Sequence, residues 1–154
     1  MTHTLIYTRT QDDVEQAKEI RREKIQKFQE LTSDEVQVLE RGMMTVNTLN
    51  RIEATQDELK GLLNHIGYWN TPIITKTWDE TQMFDEGDFR RIINNLNILR
   101  MAFFTYKNTP PTPSISFRYD DLNAIEKILH DLDVMINDVK SHYKRCGTVR
   151  CGEV

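Results

Sequence analysis

Both cysteines of the chain lie in its last ten residues, Arg145-Cys146-Gly147-Thr148-Val149-Arg150-Cys151-Gly152-Glu153-Val154. Thiolates serve as metal ligands and as nucleophiles, so their spacing is the first chemistry to weigh. Cys146 and Cys151 stand C-x4-C rather than the C-x2-C of most zinc knuckles, and there is no second cysteine pair to complete four ligands. Zinc would need His142 or thiolates from other copies of the chain. A disulfide closing this short loop and two free thiols in a packed tail are the alternatives, and a folded-back tail whose cysteines pack is the preferred reading.

Little else in the sequence offers chemistry. It contains no G-x-S-x-G, P-loop, H-E-x-x-H or dinucleotide-binding glycine pattern. His130 and His142 are twelve residues apart on one predicted helix, too far to chelate one metal. Asp131, Asp133 and Asp138 read as a solvated helix face. The chain therefore reads as non-enzymatic and without a cofactor; a thiol- or zinc-dependent enzyme would rest on Cys146 and Cys151 alone.

A length of 154 residues suits one core with an appended arm, and 38% hydrophobic with 29% charged residues is a globular balance. The net charge of −4 lacks the basic excess that phosphate binding calls for, so no nucleic-acid partner is expected. No apolar run reaches the roughly 20 residues that span a bilayer. The start, MTHTLIYTRTQDD, lacks the basic and apolar regions of a signal peptide, so synthesis in a cytosol and no membrane partner are expected.

The periodicity predicts a mainly α protein: a small antiparallel bundle of three core helices, with a charged helical arm before it and two long loops. Residues 1–44 form the arm and short helices, and 45–154 the bundle with its tail. A charged helix over Asp12 to Leu31 has only a thin apolar stripe, after Thr8 or Thr10 as cap. Thr32-Ser33-Asp34-Glu35 reads as a capping box opening a short helix that Gly42 ends. Leu49, Ile52, Leu59, Leu63 and Ile66 form a seam broken by Gln56 and closed by Gly67. A helix from Asp85 or Asp88 carries Ile92, Leu96, Leu99, Phe103 and Tyr106, and the last carries Leu122, Ile125, Leu129, Leu132, Ile136, Val139 and Tyr143. The connections Tyr68 to Phe84 and Lys107 to Arg118 exceed the usual 2–8 residues of bundle loops, so they have a further task, as binding loops or as a minor β-ribbon pairing Ile73–Thr77 with Ile115–Phe117.

Leu49-Asn50-Arg51-Ile52-Glu53 recurs as Leu122-Asn123-Ala124-Ile125-Glu126, with a weaker copy in Phe89-Arg90-Arg91-Ile92-Ile93-Asn94. Shared helix-start chemistry, Asn with Glu three residues on, is the plainer explanation, and a duplicated helical unit the sharper one.

Taken in order, LIYTRTQDDVEQAKEI, LNRIE followed by GY and a tryptophan-containing loop, FRRIINNLNILR, DLNAIEKILHDLD and YKRCGTVRCGE resemble a family of small proteins encoded among the structural and tail genes of bacteriophages and prophages of Gram-positive, often gut-dwelling, bacteria. The resemblance covers nearly the whole chain. It departs from the family at Tyr143-Lys144-Arg145-Cys146-Gly147, where a Y-R-Y-C-G lead-in would place a second aromatic residue. The resemblance implies a virion structural protein of the tail, baseplate or connector, made in the host cytoplasm and incorporated into the virion. It would act by protein–protein contact with copies of itself and with other phage structural proteins, and without catalytic residues. Tyr7, Arg9, Phe28, Trp69, Trp78, Phe117 and Tyr119 are the expected interaction residues, with core or loop packing as the alternative for each. A small soluble phage protein that binds and regulates a host factor is the other functional expectation.

Overall fold

A computed structural model describes residues 3–68, 72–114 and 118–146, with the side chains of 143–146 excepted. The expectations for Trp69, Phe117, the Cys151 thiol and the tail fall outside the described residues, as do those for the side chains of Tyr143 and Cys146. Five α-helices follow one another: α1 (Gln11–Glu23), α2 (Ser33–Gly42), α3 (Val46–His65), α4 (Glu86–Ala102) and α5 (Tyr119–Cys146). The protein is mainly α, and no strand occurs among the described residues. Residues 72–80 form no strand, and the other half of the expected ribbon, Ile115–Phe117, lies outside the described residues.

The helix boundaries follow local chemistry. Thr10 caps α1 and Thr32 caps α2, each in a reciprocal capping box with the acid three residues on, Asp13 and Glu35. The charged helix stops at Glu23, well short of Leu31; a 3-10 turn (Ile25–Lys27) and Phe28 in the left-handed region, φ 55, bend the chain back. At Gly42 a Cβ would lie 2.1 Å from the Asp13 carbonyl and 2.4 Å from Ala17 Cβ, so only glycine lets α2 approach α1 this closely. Asp85 caps α4, which ends at Ala102. Phe103 is buried just beyond that end, while Tyr106 lies outside the helix and is exposed.

The core is built from α3, α4 and α5, whose Ile52, Leu59, Leu63, Ile92, Leu96, Leu99, Ile125, Leu129, Leu132 and Ile136 are fully buried. Gln56 does not break the α3 seam. It is buried in it, donating to the Ile92 carbonyl at 2.9 Å and accepting from Asn95 at 3.0 Å. At the other limit, Val139 of α5 is exposed.

The bundle is not antiparallel. Glu53 of α3 meets Arg91 of α4 and, one turn further along both helices, Gln56 meets Asn95, so the two advance together. The chain between them runs back: Lys60, Glu53 and Asn50 of α3 meet Ile73, Lys76 and Trp78 in turn. The other grooves are filled in the same way. Residues 6–9 run against α5, with Ile6 on Glu126 and Arg9 on Asn123, while Arg51 of α3 reaches Glu126 from the other wall. Thr109 and Pro110 lie between Asp131 of α5 and Arg100 of α4. Three parallel helices thus hold residues 73–78 running back along the α3–α4 groove, residues 6–9 between α3 and α5, and Thr109 and Pro110 between α4 and α5, and the need to run back explains the long connections. A connection that must retrace a whole helix cannot be short.

Candidate functional site

Two polar clamps sit where sequence reading placed a repeat. Asn50 and Asn123 are each the fifth residue of their helix, and Glu53 and Glu126 each the eighth. Helix-start capping is therefore not their role: Thr45 caps α3 instead, and both pairs face extended chain far away in sequence. Asn50 accepts the Trp78 N–H at 2.7 Å and donates to the Trp78 carbonyl at 2.9 Å. Asn123 does the same to Arg9, at 3.0 and 2.9 Å. A side-chain amide that grips both polar groups of one residue takes the place of a neighbouring strand.

The glutamates complete the grip. Glu53 accepts the Lys76 N–H at 2.8 Å, Trp78 Nε1 at 3.0 Å and both terminal nitrogens of Arg91 at 2.5 and 2.7 Å. Glu126 accepts the Ile6 N–H, and the guanidinium groups of Arg9 and Arg51 at 2.7 and 2.9 Å. Arg91 and Arg51 are each the sixth residue of the helix that follows around the ring. In the third position of this pattern α5 has Ala124 and α4 has Ile93, so the cation and its carboxylate are missing together. This pattern favours a duplicated unit over chance similarity, and it explains why the third copy in the sequence is the weak one.

Both carboxylates are buried, and among the described residues Glu53 accepts four hydrogen bonds and Glu126 three, all from this chain's own donors. Nε of Arg9 and Nε of Arg51 are buried without a partner among the described residues. Asp131 is buried as well, contrary to the reading of a solvated face. Burial alone would raise its pKa, but Lys127, Thr109 and His130 all contact the carboxylate and hold it below the ordinary value.

The expected interaction residues divide. Arg9 and Trp78 are internal, the first an ion-pair partner of Glu126 at the edge of the cavity described below and the second a core residue. Tyr7 is half-buried, its ring 5.0 Å from that of His130 and 5.4 Å from Lys127 Nζ. Phe28 is 98% exposed at the tip of the α1–α2 hairpin. Tyr119 lines a cavity of about 480 Å³ at the end where α3, α4 and α5 begin. Sequence reading missed this cavity, whose apolar floor includes Val14, Met43, Met44, Phe89 and Leu122 and whose rim carries Lys18, Arg21 and Arg118. On the rim helix, Glu15 accepts from Gln11 at 3.2 Å.

The fold and these clamps define a helical scaffold closed by side-chain-to-backbone contacts, with no group of three or more His, Cys, Asp or Glu placed to hold a metal among the described residues. No family model, curated protein or solved structure matches the chain.

Proposed function

We propose that this chain is a non-enzymatic structural subunit of a bacteriophage particle, working in the tail, baseplate or connector region by protein–protein assembly. The observation that carries the reading is that the motifs resembling the phage family are mutual contacts. IYTRT lies in the grip of LNAIE, and LNRIE grips the connection that follows it. Such motif pairs serve to close a scaffold, and the titratable groups at their centre are used up in closing it. Exposed Phe28, Met83, Met101 and Phe104 leave apolar surface for neighbours.

The test is to express an affinity-tagged copy during phage growth and fractionate the lysate by density. Co-sedimentation with intact particles is the expected result. A tagged chain found only in the soluble fraction, bound to a host protein, would replace this reading with that of a host-factor regulator.

A further inference from the structure

We propose that the chain forms a two-fold dimer in which the acidic loop 79–86 of each copy, led by Met83, seats in the basic cavity of the other. The loop contains Asp79, Glu80, Asp85 and Glu86 and no cation. Its shape is set in advance: Asp79 accepts the Thr81 N–H at 2.8 Å, the Thr81 hydroxyl at 2.5 Å and Gln82 Nε2 at 3.0 Å. Behind it Phe84 rests on Trp78 and Phe89, with ring centroids 5.4 and 6.5 Å apart. A loop held this firmly loses little freedom on docking, yet it presents Met83 with 89% of its surface exposed.

The cavity has the opposite character. None of Lys18, Arg21 and Arg118 is in an ion pair among the described residues, while the rim's carboxylate, Asp121, accepts the Arg118 N–H at 3.1 Å. The first turns of α4 and α5 also border it, with the positive ends of their dipoles. Its floor of Met43, Met44, Val14, Phe89 and Leu122 suits a methionine side chain, which adapts to irregular apolar space.

Phe89 belongs to both features, lining the cavity and supporting the loop through Phe84, so loop and cavity adjoin where α4 begins. A negative apolar projection beside a positive apolar recess is self-complementary under a two-fold rotation, which brings each loop over the other copy's cavity. This complementarity selects a second copy of the chain as the occupant. The inference concerns the isolated chain and stands apart from the phage assignment.

Sedimentation equilibrium of the purified full chain tests it. The expected result is a dimer that weakens as salt is raised. Glu80→Lys with Glu86→Lys, and separately Lys18→Glu with Arg21→Glu, should each raise the dimer dissociation constant at least about tenfold. Mixing the two variants should restore dimers, because every loop then meets a cavity of opposite charge. All four side chains are exposed, and circular dichroism verifies that both variants fold. A wild-type chain that stays monomeric, a dimer unaffected by either variant, or a mixture of folded variants that stays monomeric would overturn the proposal.

Discussion

Glu126 of α5 and Arg51 of α3 meet at 2.9 Å at the head of one groove, and Glu53 of α3 and Arg91 of α4 meet at 2.5 Å at the head of the next. Each bridge joins the eighth residue of one helix to the sixth of its neighbour while the same carboxylate holds an extended segment. One polar device therefore fixes helix spacing, helix register and the path of the returning chain.

Removing one side of such a buried pair strands the other. Glu126→Ala leaves both Arg9 and Arg51 buried and uncompensated, so the expected loss is about 3–5 kcal/mol in urea unfolding. Asn123→Ala, which removes only the grip on the Arg9 backbone, should cost less, about 1–3 kcal/mol.

The missing third bridge can be built. Ile93→Glu and Ala124→Arg should each destabilise the protein, since each introduces a charge without its partner. The double variant should recover part of the loss, with a coupling of about 0.5–3 kcal/mol in a double-mutant cycle. Strict additivity would show that positions 93 and 124 do not correspond to the other two pairs.

Phe28 occupies a left-handed conformation that glycine adopts without steric cost. Phe28→Gly should therefore leave stability unchanged or raise it, by up to about 1 kcal/mol, because relief of strain outweighs the added freedom of the unfolded chain. Thermal unfolding measures this. A marked loss of stability would mean that the phenyl ring has an intramolecular role its exposure conceals.

The α1–α2 hairpin should respond to acid through two carboxyls. The Arg41 guanidinium, helped by Thr10, brings Asp13 from 3.8 to about 2, and Lys24, helped by Thr32, brings Glu35 from 4.5 to about 2. Both values are depressed in the folded state, so their contribution is present above the ordinary carboxylate range and is lost as pH falls through it toward 2. Carboxyl chemical shifts followed against pH should show this, and Arg41→Ala should return Asp13 toward 3.8. A titration of Asp13 unchanged by that substitution would remove Arg41 as the cause.

The sequence announced the local parts of this arrangement and hid those that depend on distant partners. The steps of Leu122 through Ile136 and the capping box of Thr32 with Glu35 are local patterns, and local patterns survive into the fold. Helix direction is not local, since a periodic stripe reads alike in parallel and antiparallel bundles; the length of the connections held that information. Asn50 and Glu53 resemble a cap in sequence, and only Trp78 and Lys76, supplied by a distant stretch, show what they bind. Asp131 passed for a surface acid because its partner Thr109 lies in another element. The cavity could not be read because α1, the end of α2, α4 and α5 each supply a part of its wall.

The most direct test of the assembly role is a particle map with the protein content measured on the same preparation. The account predicts density at a tail, baseplate or connector position that accepts three parallel helices with the intervening chain packed between them, and the chain in fixed ratio to the other minor structural proteins. Particles complete in those proteins but lacking this chain would contradict it.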